Sequence, residues 1–381
     1  MYKIAIIGAS NMQRPLVEKA NTMGLETHVF AWEKGEVVSD IAFKFYPISV
    51  LEKEKILNVC TEIDIDGILT IGSDIAVDTV NFVANKMELV GNSMSSTQMT
   101  RDKHLMREKL AEAGLPVPGF KVINSVDELK NLDFAPPYMI KAVDRSGSRG
   151  IQLVKKDSER TEAYANAMEV SLNKKVLVEN YFDGKQYSLE VLSQNGNHNF
   201  VGITEEFYTG PPQFVETGHI MPGPISKKNL EKGLELTFSA LDALEIKNGA
   251  SHTELRINRD NEFCFIEIAG RMGGDFRANL IELAYNYDYI EDSIKIALGE
   301  TVSLGNIKAK GFSFIKWIMN KEDLEYYYGN KNKMNISDCE LPKTIKQREG
   351  NIQSSADRYG YYLGYSDVYP GKLINFGSNN R

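Results

Sequence analysis

Cysteine is scarce. Cys60, Cys264 and Cys339 are the three in 381 residues, an odd number at wide spacing that supports neither a disulfide framework nor a zinc site. A reducing cytoplasm is the simplest home for such a chain. A basic excess is missing too: 44 Lys and Arg stand against 52 Asp and Glu, a formal net charge of −8. With no Lys/Arg-rich block or basic amphipathic run, nucleic acid is not expected as a partner. No window approaches the apolar length of a membrane span, and the opening MYKIAIIGAS is too short an apolar run for a secretory signal. Two phosphate-binding fingerprints are absent as well. Gly8-Ala9-Ser10 continues as Asn11-Met12-Gln13 without the glycines of G-x-G-x-x-G, so Gly8 reads as a strand-end turn or at most a substrate-facing loop. Ser146-Gly147-Ser148-Arg149-Gly150 ends in no Gly-Lys-Ser/Thr and leads into a strand, which excludes a Walker A loop.

What is present fits a globular protein of two or three domains, with 42% apolar residues and no long stretch expected to be disordered. Residues 1 to about 95 alternate strand and helix signals: KIAIIG, a helix from Asn11 to Met23, ETHVFAW, a helix near Leu51 to Cys60, GILTIG, and a helix from Asp74 to Lys86. That order predicts an α/β unit with a parallel sheet. Thr100 to Met106 opens a helix that stops at Gly114 and Pro116. A strand-rich region follows, with GFKVI, a short helix near Val126 to Asn131, PYMIKAVDRSGSRGIQLVKK, a helix from Asp157 to Leu172, VLVENYF, and YSLEVLSQ turning at Asn195-Gly196. Helices are expected from Lys227 to Leu244 and, as one element, from about Asn279 to Leu298. The tail holds Tyr326, Tyr327, Tyr328, Tyr359, Tyr361, Tyr362 and Tyr365. Such a cluster suits a packed C-terminal sheet as well as a subunit contact, hence a homodimer.

The stretch from Gly249 to Asp275 has the composition of a β-hairpin around Asn258-Arg259-Asp260-Asn261. A two-residue loop, Asp260-Asn261, would pair Arg259 with Glu262, placing Glu254 opposite Glu267 and His252 opposite Ala269. Strand alternation then gives Leu255, Ile257, Cys264, Ile266 and Ile268 one core face, with both carboxylates on the other. Facing carboxylates disfavour each other by about 0.2–1 kcal/mol, so a positive group is expected between them. Either a hard cation such as Mg²⁺ sits there, or Arg256 or Arg271 pairs with one Glu in a solvated surface ladder. Arg271, followed by the side-chain-free Gly273 and Gly274 and then Arg277, suits a closely approaching anion such as a metal-held phosphate.

Other positions carry two readings each. Lys103, in a first helical turn where the macrodipole disfavours a cation, serves a phosphate or is a solvated surface lysine. Lys141, among Met139, Ile140, Ala142 and Val143, snorkels or aims at an anion. The Ser146–Gly150 loop is an ordinary hairpin turn or a flap whose backbone N–H groups cradle phosphate oxygens. Glu179 ends an apolar strand whose edge either offers hydrogen bonds to a purine or simply becomes exposed. Glu216 and His219, in a Gly/Pro-rich connection, recognise an ammonium and a carboxylate respectively, or cap the helix beginning near Ser226.

Lys103, Lys141, the Ser/Gly loop, Glu179 and the Glu254–Glu267 hairpin, in that order, resemble the ATP-grasp superfamily of carboxylate–amine ligases over roughly residues 1 to 370. The resemblance implies a mixed α/β (later α+β) fold: an N-terminal doubly wound parallel-sheet domain (1–95), a linker helix with a lid (96–180), and a catalytic antiparallel-sheet part with its extension (181–381). It implies ATP and Mg²⁺, or Mn²⁺ in its place. Lys103 and Lys141 would hold phosphates under a flap of Ser146, Gly147, Ser148 and Gly150. Glu179, Tyr181 and Phe182 would form the adenine strand, Glu254 and Glu267 would bind metal, and Arg271 would stabilise the transferred phosphoryl group. Two positions depart from the pattern: Gln186 stands where many members have a ribose-binding Glu, and Ala269 where many have an Asn at a second metal.

A narrower likeness, in Phe214 to Pro222, is to bacterial L-amino-acid (dipeptide) ligases, in which a Glu and a His three residues later contact substrate. Small-molecule carboxylate and amine substrates, amino acids among them, are then expected. The reaction would run through an acylphosphate to an amide with release of ADP and phosphate, Arg271 and the Gly273 and Gly274 N–H groups stabilising the tetrahedral oxyanion. A purine-biosynthetic ligase and a non-catalytic ATP-binding module are the alternatives.

Overall fold

The computed structural model describes residues 1–32, 37–303, 305, 307–345, 352 and 354–376. Near the N-terminus, β1 (Lys3–Ile7), α1 (Arg14–Thr22), β2 (Glu26–Phe30), β3 (Lys44–Tyr46), α2 (Lys53–Ile63), β4 (Gly67–Leu69) and α3 (Asp74–Lys86) follow the predicted alternation, except that the short β3 was not expected and follows β2 directly. Their sheet is parallel, in the order β3-β2-β1-β4. The apolar run of β1 is buried because helices cover both faces of such a sheet. Beyond β4, Ile71 bridges to Met272, and the Gly72 N–H donates to the Met272 carbonyl at 3.2 Å. A Cβ on Gly72 would stand 3.0 Å from the Cα of Gly274. This glycine contact brings the first turn of α3, with Asp74, up to the functional face of the next sheet.

Two helices follow where one was expected: α4 (Met94–Arg101) and α5 (Lys103–Glu112). Asp102 separates them, with its carboxylate accepting from the N–H groups of His104 and Leu105 as the α5 cap. Met99, Met106 and Leu110 from this pair pack with Leu255, Phe265 and Ile268. The helices therefore belong to the core of the large sheet. The lid elements are β5 (Phe120–Ile123), α6 (Val126–Lys130), β6 (Tyr138–Ala142), β7 (Ile151–Val154), α7 (Arg160–Val170) and β8 (Val176–Asn180). They form a four-stranded antiparallel sheet, β5-β8-β6-β7, with α7 on its apolar face.

The remaining elements are β9 (Lys185–Gln194), β10 (Asn197–Tyr208), β11 (Glu216–Met221), α8 (Lys227–Ala243), β12 (Gly249–Ile257), β13 (Phe263–Ala269), α9 (Arg277–Tyr285), α10 (Tyr289–Ala297), β14 (Phe312–Ile318), α11 (Lys321–Asn330), β15 (Asn335–Glu340) and β16 (Gly360–Ser366). The strands build an eight-stranded sheet in the order β13-β12-β9-β10-β11-β14-β16-β15. The expected single helix from Asn279 to Leu298 is two, because Asn286 takes a left-handed conformation and Asp288 caps a new start. In the tail, Tyr327, Tyr361 and Tyr362 are buried, while Tyr328 is exposed. Three of the seven tyrosines are thus packed in the interior, which leaves the subunit-contact reading to the others.

The β12–β13 hairpin has the expected pairings for an unexpected reason. Glu254 faces Glu267 and His252 faces Ala269, but Ile257 faces Phe263, one residue out of the counted register. The loop is longer than counted: the Asn258 N–H donates to the Glu262 carbonyl, and Asn261 sits at φ +61°. A bulge between Glu254 and Leu255 on one strand and Phe265 and Glu267 on the other absorbs Ile266 and restores the register. The bulge also reverses alternation within β13. Phe265 joins the core, whereas Cys264 and Ile266, expected there, line the cavity beside Glu267. Leu255, Ile257 and Ile268 are core as expected.

Candidate nucleotide and substrate site

A cavity of about 360 Å³ lies between the lid and the large sheet. At one end, Lys103 reaches it from the first turn of α5, buried, with Nζ 2.9 Å from Glu267 Oε1 and 2.7 Å from the Arg145 carbonyl. Burial alone would lower its pKa, but Glu267 raises it further, so the ammonium is held charged. Lys141, on β6, ion-pairs with Glu179 at 2.6 Å. The Glu179 carboxylate is buried and also bonded by Arg107. Burial pushes that carboxyl up, yet Arg107 and Lys141 bring it down to about 2. Neither lysine is a solvated surface group, and Glu179 is an internal anion at a strand end.

Arg107 was not picked out by sequence reasoning. It lies four residues after Lys103 on the same helix face, donates to Glu179, and sends Nη2 to the Ile266 carbonyl at 2.7 Å. It therefore ties the lid strand to the bulge that sets the Glu254–Glu267 register. Arg107→Met takes away one of the two cations on Glu179 and leaves the Ile266 carbonyl without its donor, so it should destabilise the fold by about 1.5–3 kcal/mol. Because the Glu179 pKa lies below the unfolded value of about 4.3, this contribution is present at neutral pH and lost as pH falls towards 2. Denaturant titrations should therefore separate parent and variant most above about pH 5, and least in acid. A gap that does not shrink in acid would show that Arg107 stabilises by packing alone.

The loop expected as a flap is the β6–β7 turn. Gly147 and Ser148 have positive φ, and the Ser148 hydroxyl donates to the Phe214 carbonyl at 3.2 Å. Ser146, Gly147 and Ser148 line the cavity, whereas Gly150 does not. A Cβ there would meet Val170 at 2.5 Å, so Gly150 permits close strand–helix packing at the base of the flap. Tyr181 and Phe182 line the same end. Arg256 connects them to the sheet: it donates Nη1 to the Phe182 carbonyl and Nε to Gln186 Oε1, both at 3.0 Å, and lies over the rings of Tyr181 and Phe214. Arg256 is therefore engaged away from the two facing carboxylates, as Arg271 is below.

At the centre, Glu254 Oε2 accepts from Gln186 at 2.8 Å, and Oε1 lies 3.4 Å from His252 Nε2. Gln186 also donates to Glu206 at 3.0 Å, so its amide sits among the carboxylates. Sequence reasoning did not find Glu206, which stands in the buried second half of strand β10 and pairs with Arg277. Glu206, His252 and Glu254 present ligand atoms within 4.8 Å of one another. Burial and Glu206 raise the Glu254 carboxyl. His252 is driven to about 10, because the Glu190 carboxylate outweighs its burial. The oxygen donors of Glu254 and Glu267, facing across a rigid ladder with Lys103 already drawn to one of them, fit a hard divalent cation.

At the far end, Arg271 donates Nε to Asp74 Oδ1 at 2.8 Å, with Nη2 2.7 Å from the same oxygen, and it lines the cavity. Gly274 is in the wall too, but the Gly273 N–H, expected at an oxyanion, is given to Glu190 Oε2 at 3.1 Å. Glu216 and His219 lie on strand β11 and cap nothing. The α8 cap is Ser226, and the expected connection is a central strand. Three residues apart, they would ordinarily face opposite sides. A bulge sets Tyr208 against Glu216 and Glu206 against His219, so both share the cavity side. Glu216 lines the cavity with its carboxyl raised to about 7, first by burial and then by Asp275. His219 is wholly buried behind Asp275, which Nε2 meets at 3.3 Å. Burial and Arg277 lower it to about 4, leaving a neutral imidazole in place of the expected carboxylate-binding cation.

The sequence profile of the ATP-grasp domain matches residues 134–279. The chain is 27% identical over 313 residues to an uncharacterised protein of Sinorhizobium fredii, covering 79% of this chain and 64% of that one. It is 27% identical over 186 residues to a D-alanine–D-alanine ligase of Agrobacterium fabrum, covering 47% and 60%. It is 23% identical over 246 residues to an alanine–anticapsin ligase of Bacillus subtilis, covering 58% and 51%. The chain thus spans less than two thirds of the length of these relatives. Among solved structures, an L-amino acid ligase from Bacillus licheniformis superposes with a TM-score of 0.82 at 20% identity, over 98% of this chain and 95% of that one. A phosphoribosylglycinamide synthetase from Anaerococcus prevotii gives 0.74 at 19%, over 98% and 96%. The fold is the ATP-grasp fold, and residues 134–279 match the ATP-grasp domain. Among the described residues, no helix is long and apolar enough to cross a membrane.

Proposed function

We propose that this protein is an ATP-dependent carboxylate–amine ligase that takes an amino acid as at least one substrate. The observation that carries the reading is one continuous cavity wall, in which two lysines and the facing Glu254 and Glu267 adjoin Glu216. In the reaction proposed, a substrate carboxylate oxygen attacks the γ-phosphorus of ATP and ADP leaves. The amine nitrogen then attacks the acylphosphate carbon and phosphate departs, giving an amide. Glu254 and Glu267 would hold Mg²⁺, which would supply positive charge against the phosphates. Lys103 and Lys141 hold the phosphates, and the Ser146–Ser148 flap excludes water. Arg271 stabilises charge on the transferred group.

The charge pattern supports a zwitterionic substrate. Arg271, Arg277 and Arg358, which line the far end, are paired with Asp74, Glu206 and Asp275. Charges of alternating sign at that end suit an amino acid's ammonium and carboxylate. Alanine is the first compound to try, because it appears in the names of two relatives.

The test is ADP release with L-alanine paired in turn with each common L-amino acid. Glu216→Ala should raise the amino-acid KM by roughly ten- to hundredfold, the value of a hydrogen bond to a charged group, with ATP KM nearly unchanged. His219→Ala should have the smaller effect, because His219 reaches the cavity only through Asp275. Loss of nucleotide binding in either variant would make β11 a structural strand. No ADP release with any pair would favour the binding-module alternative.

A further inference from the structure

The turn Ser354–Arg358 lies far along the chain from the other site residues, yet Ser354, Ser355, Ala356 and Arg358 line the cavity. It is closed by its own bonds, the Ser354 N–H and hydroxyl donating to Asp357 Oδ2 at 3.0 and 3.2 Å. From this fixed turn, the Ser355 hydroxyl donates to Glu216 Oε2 at 3.0 Å. Arg358 sends Nη1 and Nη2 to the two Asp275 oxygens at 2.7 and 2.8 Å, and its guanidinium lies 3.7 Å above the Trp317 ring. A fork of this kind fixes its partner in angle as well as distance. Asp275 in turn meets His219.

Asp275 and Phe276 are consecutive non-glycine residues at φ +51° and +58°, a conformation that persists only where the surroundings enforce it. The Arg358 fork is the enforcing contact on Asp275. Were the turn only a packing element, its anchors would be apolar. Besides the Trp317 stack and a Ser355 N–H to Gly147 carbonyl bond of 3.5 Å, its anchors are directed hydrogen bonds to Glu216 itself and to the carboxylate that meets His219.

We propose that this C-terminal turn is part of the amino-acid subsite, with Ser355 positioning Glu216 and Arg358 positioning His219 through Asp275. The inference rests on reading Glu216 as the amino-acid residue. The turn then decides which amino acid is accepted, and its contact with the nucleotide end is to the Gly147 backbone of the flap alone.

The test compares Ser355→Ala, Ser355→Thr, Arg358→Lys and Glu216→Ala in the full chain. The probe is L-alanine with whichever partner amino acid releases ADP fastest. Ser355→Ala should raise the amino-acid KM roughly tenfold or more at nearly constant kcat and ATP KM, and Ser355→Thr, which keeps the hydroxyl, should restore it. Arg358→Lys keeps the charge but not the fork, and should raise the same KM in a protein that still folds. An unchanged KM in Ser355→Ala, beside a raised one in Glu216→Ala, would overturn the positioning role alone. A changed ATP KM would overturn it too, by showing that the turn acts through its neighbour Gly147 in the flap. If Glu216→Ala also leaves the amino-acid KM unchanged, the amino-acid reading falls first and this inference with it.

Discussion

Arg271→Ala is expected to lower turnover at saturating ATP, Mg²⁺ and amino acids by roughly a hundred- to thousandfold, or about 2.7–4 kcal/mol of activation free energy. Charge grows first on the transferred phosphoryl group and later on the tetrahedral oxyanion, and a donor already fixed in place meets it without reorganisation. Asp74 does the fixing: it holds the guanidinium through Nε and Nη2 from the first turn of α3. Arg271→Lys should recover little, since a point charge does not reproduce the fork. Asp74→Asn should cost less than either, because the guanidinium that meets the charge is still present and an amide oxygen can still accept from it. Stability is a confounding effect, as removing one partner strands the other in a partly buried place. The double variant Asp74→Asn/Arg271→Met separates the two roles, and should regain thermal stability while remaining inactive. Near-normal turnover in a folded Arg271→Ala protein would make the pair a seam between the N-terminal sheet and the large sheet and nothing more.

That seam marks the boundary of what sequence reasoning reached. Local periodicity placed α3 from Asp74 to Lys86 and the strand around Lys141, because both signals lie within a dozen residues. The Glu254–Glu267 pairing was legible for a weaker reason. The loop was counted one residue short, and the bulge at Ile266 moved the register back by one, so two errors cancelled. Where nothing cancelled, the reading failed, and Cys264 and Ile266 were assigned to the wrong face. Glu206 and Glu190 stand in strands buried on both sides, where alternation carries no information about which polar residue faces the cavity. Asp74, Asp275, Ser355 and Arg358 had no local signal, for each becomes part of the site through a contact distant in sequence.

Glu254→Gln should abolish most of the activity and yet yield a more stable protein. The carboxylate is partly buried near Glu206 and faces Glu267 across the ladder, which together raise its pKa above the unfolded value of about 4.3. The folded state then binds the proton more tightly than the unfolded one. This group's contribution to stability is therefore full below pH 4.3 or so, and is lost as pH rises through the folded pKa. An amide avoids that loss and can still accept from Gln186. Without added metal, the variant should unfold at a higher temperature than the parent at neutral pH, the difference closing below about pH 4. Turnover should fall by roughly a thousandfold, since charge neutralisation by a bound cation is worth several kcal/mol at a transferring phosphoryl group. Millimolar MgCl₂ should raise the unfolding midpoint of the parent and leave that of the variant unchanged. This readout does not depend on catalysis. If Mg²⁺ shifts both midpoints equally, Glu254 is not a metal ligand, and its repulsion from Glu267 must be relieved by Lys103 alone. If the variant is less stable than the parent at neutral pH, the hydrogen bond from Gln186 outweighs the repulsion, and the facing carboxylates are a structural pair.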